Sequence, residues 1–379
     1  MLVNQLIVYI MAFFLLLGAI DRCLNNRFGL GKNFNEGILA TSALIVPTVG
    51  FICTAPVIGS ILSPIVSPIF IAIGSDPSMF AGLILSSDMG GYPLAMNMAQ
   101  NQQIGEFSGI IVASVLGGSV CFAIPVLLSS VRETDRESTS MGLMIGIIAM
   151  PLGCLIGGII ANFDTYLLTI NLIPIIILSI TLIVGLWRFQ KTTIKAFILF
   201  SRLVLSFATL MFALAGIQEM TKTTIIPGVL PIADGFIIVG AIAIVLAGAY
   251  PLIAVINRFL ARPLARVSLL IGINSTSCAA LLAVLANFLP IIPMIKDMGD
   301  RGRIIVMAFL INAGAALGDY TGFTVSVAEH MLLPMIAAKL CGGLIAIIIA
   351  IFFCNKMNIS TQTQLKPNKP VLVNIADYK

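Results

Sequence analysis

Two aspartates lie in stretches that otherwise have the composition of membrane helices. Asp88 occurs in SSDMGGYPLA at residues 86–95, among hydroxyl groups, paired glycines and a proline, and Asp319 occurs in GAALGDYTGF. A carboxylate at membrane depth costs roughly 2.5–3.5 kcal/mol on insertion scales, so such a residue is by default a candidate for function. Two carboxylates would supply the countercharge for a small cation. The alternatives are an aqueous loop around Asp88 and a structural hydrogen bond from Asp319 that braces a broken helix.

Further polar and aromatic residues complete the candidate site. An aromatic face attracts a cation by about 0.5–2 kcal/mol, and hydroxyl or amide groups can bind a substrate hydroxyl group. The predicted substrate-binding residues are therefore Asp88, Asp319, Ser86, Ser87, Asn287, Tyr92 and Tyr320. Glycine lets a helix break or another helix approach closely, and the predicted hinges are Gly90, Gly91, Gly117, Gly118, Gly318 and Gly322. Simple packing or an interfacial position is the alternative for both tyrosines.

Other kinds of chemistry find little support in the sequence. The seven cysteines include no CxxC pair and His330 is the one histidine, so neither a metal site nor a cofactor is expected. The net charge of +5 is spread over many loops, without the basic block that a nucleic acid would need. Asp76, Asp164, Asp234 and Glu106 fall near the ends of predicted spans, where we expect them to be solvated. We therefore leave these four out of the site.

Composition places the site in an all-α polytopic membrane protein. The chain has 379 residues, of which 59% are hydrophobic and 10% charged, and its mean hydropathy is +1.09. These values lie far outside the range of soluble domains. Because about twenty residues cross the hydrocarbon core as a helix, we predict about nine transmembrane helices, at 4–20, 38–61, 106–130, 141–161, 170–187, 199–217, 235–257, 303–327 and 333–353.

Two further stretches, 76–98 and 272–295, are interrupted halfway by SSDMGGYP and ANFLPIIP. If both are re-entrant hairpins, every basic residue of the 21 except Lys222 and Lys339 falls in a cytoplasmic loop or in the tail, as the positive-inside rule requires. A full crossing by the first stretch would move the following loops to the other side and abolish this bias. We therefore predict an outside N-terminus, a cytoplasmic C-terminus, and hairpins that enter from the outside and from the cytoplasm, respectively.

The two halves of the chain share landmarks at a nearly constant offset. Pro56 corresponds to Pro251 and Gly105 to Gly302, and LIGGIIA near residue 155 corresponds to LCGGLIA near residue 340. Each unit then holds four spans and one hairpin, and one further span links the two units. Because four spans plus one linker make an odd number of crossings, the second unit is inverted. Inverted repeats with broken helices are typical of secondary transporters. The predicted units are a first repeat (1–161, with hairpin 76–98), a linker span (162–198), a second repeat (199–353, with hairpin 272–295) and a cytoplasmic tail (354–379).

Several motifs carry a resemblance to a known family. DPSMFAGLILSSDMGGYPLA, APVIG, PLGCLIGG, GAYPLIAVINRF, LANFLPIIPMIKDMGDRGR and ALGDYTGF together resemble the bacterial ethanolamine permease family, EutH, over about residues 5–353. The resemblance implies uptake of ethanolamine across the bacterial cytoplasmic membrane by a multi-pass protein that is not an enzyme. It names ethanolamine and the lipid bilayer as partners, with a homo-oligomer as a further option. The hairpins and broken helices are also similar to those of concentrative nucleoside transporters, an analogy of fold alone.

Two other functions compete with ethanolamine uptake by alternating access. A transporter of another small amine or of a nucleoside-like solute would need a similar pocket. An intramembrane aspartyl protease would use paired carboxylates that share a proton and activate water. Against the protease, no PAL motif follows Asp319, and an inverted repeat has no role in that chemistry.

Overall fold

A computed structural model of the chain describes residues 2–359, and within that range it contains helices and turns but no strand. The α-helices are α1 (Leu2–Cys23), α2 (Leu30–Ala40), α3 (Ser42–Ala72), α4 (Met79–Ile84), α5 (Gly91–Met98), α6 (Gln102–Glu106), α7 (Ile124–Ser130), α8 (Arg136–Ile160), α9 (Thr165–Arg188), α10 (Gln190–Thr221), α11 (Ile232–Ile271), α12 (Ser275–Ala286), α13 (Asp300–Ala313), α14 (Asp319–Val327) and α15 (Leu332–Lys356).

Within the described range, eight helical segments are long and apolar enough to cross a membrane. They are Val3–Cys23, Leu30–Ala72, Gln102–Ser130, Glu133–Ile160, Thr165–Arg188, Gln190–Thr221, Ile232–Leu260 and Glu329–Lys356. These segments coincide with eight of the nine predicted spans and confirm a polytopic, all-helical membrane protein.

The ninth predicted span, 303–327, is not one helix. Its first part is α13, which ends at Ala313, and turns at 314–318 separate it from α14. Ala315 has a left-handed backbone, with φ 54°, which no helix can continue through. With 14 residues, α13 is about 21 Å long and does not cross a hydrocarbon core of about 30 Å by itself. The glycines around Asp319 predicted that this span can break, and the break lies at residues 314–318.

Both predicted interruptions are present. In the first stretch, α4 and α5 are separated by a 3₁₀ turn at Ser87–Met89. In the second, α12 ends before Asn287, whose backbone is extended, and 3₁₀ turns follow at Leu289–Asp297. Pro290 and Pro293 lie in this second segment, and proline cannot donate the backbone hydrogen bond that an α-helix needs. That each stretch is a re-entrant hairpin stays a prediction.

The helix between Glu106 and α7 is unusual because it is wound as π-helical turns. These turns cover Phe107–Gly117 and Ser119–Ala123, and every residue from 107 to 117 is buried. A π turn is rare and commonly occurs at functional sites. Here the segment lies against the break between α4 and α5, since a Cβ atom on Gly117 would overlap the carbonyl oxygen of Leu85. We call residues 107–123 the π segment.

Helices α8, α13 and α15 pack around the buried centre of the protein. On α8, a Cβ atom added to Gly153 would lie 2.7 Å from the carbonyl oxygen of Ala338 and 3.1 Å from Gly342 Cα, so α15 needs small residues opposite it. By contrast, α1 and α10 leave most of their side chains exposed, as helices at a lipid boundary would. The close packing of these three helices therefore fixes the position of the side chains on α15.

The predicted unit boundaries and the helices do not coincide everywhere. The boundary at 198 falls inside α10, and α15 continues to Lys356, past the predicted start of the tail at 354. The rest of the predicted tail, from residue 360 onward, lies outside the described residues.

Candidate functional site

Asp88 lies in the 3₁₀ turn between α4 and α5 and is 4% exposed. The hydroxyl group of Ser86 donates a hydrogen bond to its carboxylate oxygen Oδ1. The backbone carbonyl group of Asp88 accepts a hydrogen bond of 2.6 Å from Thr48 Oγ1 on α3. The turn needs Gly90, whose φ is 95° and whose absent side chain leaves space for Phe51 of α3. Helix α3 thus holds a buried carboxylate at the helix break.

Tyr320, in the first turn of α14, reaches the same turn. Its hydroxyl oxygen lies 3.1 Å from Ser86 Oγ. Because Ser86 has one hydroxyl hydrogen, which it gives to Asp88, the tyrosine must be the donor in this second hydrogen bond. The chain Tyr320–Ser86–Asp88 therefore joins α14 to the break between α4 and α5. Gly118 of the π segment makes room for the tyrosine hydroxyl group, because a Cβ atom there would overlap it.

Asp319 opens α14, directly after the turns at 314–318. Its oxygen Oδ1 is buried and has no hydrogen-bond partner among the described residues. Buried polar atoms nearly always have a partner, so an unpartnered carboxylate oxygen indicates a place where another group can bind. The carboxylates of Asp88 and Asp319 are near enough to interact electrostatically.

The turns before Asp319 are fixed to the end of α12. The backbone NH groups of Ala315 and Leu317 donate to the carbonyl oxygens of Val284 and Leu285, at 2.8 and 2.9 Å. Gly318 is required here, because a Cβ atom would overlap the carbonyl oxygen of Ala286. The second interrupted stretch therefore touches the broken helix that carries Asp319.

Asn287, Ser87 and Tyr92 take different positions around these two carboxylates. Asn287 is half-buried, accepts a hydrogen bond of 2.9 Å from the backbone of Leu289, and also interacts with Tyr250. Ser87 is buried, and its hydroxyl group has no partner among the described residues. Tyr92 packs edge-on against Phe323 of α14, with 6.0 Å between the ring centres, so its ring has a packing role.

The predicted hinge glycines also differ in what they do. Gly90, Gly117, Gly118 and Gly318 each permit a close approach at one of the breaks, and Gly91 adds another, with Leu85 O 2.7 Å from a hypothetical Cβ atom. Gly322 lies inside α14, where the nearest atom to a Cβ would be 3.2 Å away. The close contacts at the helix breaks therefore require the other five glycines more directly than Gly322.

Lys339 is a central residue that the sequence did not single out as part of the site. It lies on α15, is 2% exposed, and its ammonium group donates a hydrogen bond of 2.6 Å to the carbonyl oxygen of Ser114 in the π segment. Its Nζ atom lies 4.2 Å from the centre of the Tyr320 ring and attracts Asp88. A lysine inside an apolar span was the available signal. Tyr250 of α11, which interacts with Asp319, was missed as well.

The sequence model of one protein family, described as "Ethanolamine utilisation protein, EutH", matches residues 3–353 of the chain. The chain belongs to the EutH family. All the residues assigned above, with Lys339 and Tyr250, fall inside the part that matches EutH.

Individual EutH relatives are similar over nearly their whole length. The probable ethanolamine permease EutH of Listeria monocytogenes is 43% identical over 372 residues, which cover 97% of this chain and all of the relative. The probable ethanolamine permease EutH of Salmonella typhimurium is 34% identical, covering 93% of this chain and 96% of the relative. An uncharacterised Bacillus subtilis protein, YxeR, is 39% identical over 91% of this chain and 94% of its own length. No solved structure matches.

One carboxylate that was expected to be solvated is buried in this EutH chain. Asp76 is 9% exposed and accepts hydrogen bonds of 2.8, 3.0 and 2.9 Å from the backbone NH groups of Ser78, Gln100 and Asn101. It closes the stretch 76–98 at its two ends and has a structural role. The expectation of a solvated side chain was wrong, because sequence position alone could not show that residues 76 and 100 meet.

Proposed function

We propose that this member of the EutH family is an ethanolamine permease, and that its cargo binds beside Asp88 and Asp319. The observation that carries the proposal is the cluster of two carboxylates and the Tyr320 ring, buried where two broken segments meet. Ethanolamine at neutral pH is a small ammonium with a hydroxyl group, which suits carboxylates, an aromatic face and hydroxyl partners. The names of the Listeria and Salmonella relatives point to the same cargo.

Within the site, we assign the ammonium group of the cargo to the carboxylates and its hydroxyl group to Ser87 or Asn287. Ser87 has a buried hydroxyl group without a partner among the described residues, and Asn287 stands at the end of α12 near Tyr250. An amine with a hydroxyl group would then be favoured over an alkylamine of equal length. The preference should be modest, since one hydrogen bond contributes about 0.5–1.5 kcal/mol.

The mechanism that we propose is alternating access in an inverted-repeat, concentrative-nucleoside-transporter-like fold. The stretches 76–98 and 272–295 would be re-entrant hairpins that move, together with the broken helix α13–α14, relative to the remaining spans. Two features support this mechanism. Both stretches are interrupted in their middle, and the site lies between elements of both halves of the chain. Broken helices meeting at a central site are typical of such transporters.

Uptake by purified protein tests the proposal directly. Proteoliposomes that contain the full chain should accumulate labelled ethanolamine faster than protein-free liposomes, and unlabelled ethanolamine should compete. Choline, ethylamine and a nucleoside serve as competitors, because the other candidate cargoes are a different small amine and a nucleoside-like solute. Stronger competition by a nucleoside than by ethanolamine, or no uptake at all, would contradict the assignment. Imposed proton and sodium gradients in the same vesicles reveal any coupling ion.

The orientation in the cytoplasmic membrane is also part of the proposal, with the N-terminus outside and the C-terminus in the cytoplasm. Cys23, an exposed cysteine at the end of α1, should then face the cytoplasm, whereas the exposed Gln103 should face outward. In intact cells, we expect an impermeant maleimide to label a Gln103→Cys variant in a Cys23→Ser background, and to label Cys23 of the unmodified chain only after permeabilisation. The reverse pattern would overturn the orientation.

A glycine substitution tests whether the position of Tyr320 matters for uptake. In a Gly118→Ala variant the new methyl group would overlap the Tyr320 hydroxyl group, so the ring must leave Ser86 and Lys339. Loss of one hydrogen bond and one cation–π contact predicts uptake that is lower by roughly tenfold. The matched control is Gly240→Ala on α11, where nothing lies within 4 Å of the new Cβ atom. Equal uptake by both variants would show that Tyr320 is not part of the site.

A further inference from the structure

The site contains an ammonium group of its own. Among the side chains whose burial the structure describes, which leaves out part of α11, Lys339 and Arg303 are the only buried cationic ones. Arg303 lies elsewhere, between Asp135 and Asp300. A buried cation is costly unless charges and hydrogen bonds compensate it. Lys339 has the carbonyl oxygen of Ser114, the Tyr320 ring face and the nearby Asp88 carboxylate.

Few groups face Lys339. They are Asp88 in the turn between α4 and α5, the Tyr320 ring of α14 and the thiol group of Cys154 on α8. Asp319 interacts with Asp88 and completes the cluster. With both carboxylates ionised, the two negative charges and the one internal ammonium leave a single net negative charge. That charge balances one monovalent cation.

The hydrogen bonds indicate which of the two carboxylates has no partner within the protein and can bind a cargo. Asp88 accepts a hydrogen bond from Ser86 and is attracted by Lys339. Asp319 Oδ1, although buried, has no partner among the described residues. The internal ammonium therefore serves Asp88, and Asp319 stays available for the ammonium group of a cargo.

From this geometry we propose that Lys339 is a specificity-determining residue that limits the cargo to a single ammonium group. The inference rests on the proposed function and adds a cargo class to it: primary monoamines are accepted and diamines are rejected. The lysine side chain ends in the same primary ammonium group as the cargo. It occupies one of two cation positions, between the Tyr320 ring and Asp88, and Asp319 provides the other.

Removal of Lys339 should therefore change the charge of the preferred cargo. In a Lys339→Met variant two carboxylates would face no internal cation, and the vacated volume would lie beside Tyr320. The probe is 1,3-diaminopropane, a small molecule with an ammonium group at each end at neutral pH. Compared with the unmodified chain, we expect ethanolamine uptake to fall at least about tenfold and diaminopropane to inhibit it at concentrations at least about tenfold lower.

A double variant separates charge from structure. Lys339→Met combined with Asp88→Asn removes one positive and one negative charge, so the site regains its single net negative charge and contains no unpaired ion. We expect this double variant to recover ethanolamine uptake relative to Lys339→Met and to lose the sensitivity to diaminopropane. A purely structural lysine predicts no recovery, because the second substitution would only add damage. The double variant also provides the test if Lys339→Met alone does not fold.

The outcomes keep the two proposals apart. If the unmodified chain does not take up ethanolamine in proteoliposomes, the proposed function fails. If the unmodified chain does take it up, but Lys339→Met gains no sensitivity to diaminopropane or the double variant shows no recovery, the role of Lys339 is overturned. Gel filtration of each variant in detergent confirms that the compared proteins are folded.

Discussion

An Asp319→Asn variant is expected to lose at least roughly 30-fold in ethanolamine uptake at low substrate concentration. The buried oxygen of Asp319 has no partner among the described residues, so its charge is available to a cationic cargo. Truncating one partner of a buried charge pair costs about 2–5 kcal/mol, and each 1.4 kcal/mol is a tenfold change in affinity. Asparagine has the same shape as aspartate, which leaves the start of α14 intact. The measurement is the initial rate of uptake over a range of ethanolamine concentrations.

The control is Glu329→Gln, which removes an exposed carboxylate from the 3₁₀ turn that follows α14. Its uptake should equal that of the unmodified chain, because an exposed charge outside the cluster contributes little. Asp88→Asn should also lose uptake, since it leaves the ammonium group of Lys339 without its carboxylate. Unchanged uptake in both Asp319→Asn and Asp88→Asn would refute the assignment of the site.

An Arg303→Met variant is expected to lose stability, and the loss should be large. The Arg303 side chain is 4% exposed, and its guanidinium group connects the segment 289–297, α13 and the start of α8. Its partners within 3.3 Å are the carbonyl oxygens of Ile295 and Met298, the hydroxyl group of Ser138, and the carboxylates of Asp135 and Asp300. Breaking a buried ion pair by removing one partner costs about 3–5 kcal/mol, because the remaining groups lose their compensation.

Thermal unfolding in detergent measures this loss. The apparent unfolding temperature of Arg303→Met should fall by at least about 5 °C, given the usual relation between free energy and melting temperature. Lys296→Met is the matched control, since Lys296 is exposed on the neighbouring 3₁₀ segment and should leave the temperature unchanged. Equal temperatures for the two variants would show that the Arg303 cluster does not hold these elements together.

The two predictions test different groups of charges. Asp319→Asn tests a charge that we expect to bind the cargo, whereas Arg303→Met tests charges that pair with one another and fix the position of α13. Helix α13 ends at the turns that place Asp319, so a loosened α13 should also lower uptake. Asp319→Asn should not lower the unfolding temperature to the same extent.

The sequence alone determined the class of the protein and the places where its helices break. Eight predicted spans were confirmed, because about twenty apolar residues in a row are a local property that each segment carries by itself. The interruptions at SSDMGGYP and ANFLPIIP were confirmed for the same kind of reason, since glycine and proline act on the backbone where they stand. The cost of a carboxylate in an apolar stretch singled out Asp88 and Asp319.

Only the tertiary structure decided which of these residues meet, and with which partners. Lys339 was visible as a charge in the last span, yet its contacts with Tyr320 and Ser114 come from three segments that are distant in sequence. Asp76 was expected to be solvated and is buried, because residues 100 and 101 return to it. The spacing of residue types along a chain predicts local helices and their breaks. Which remote side chains meet depends instead on how whole helices pack. The cluster of two carboxylates and one internal ammonium group is therefore a result of packing.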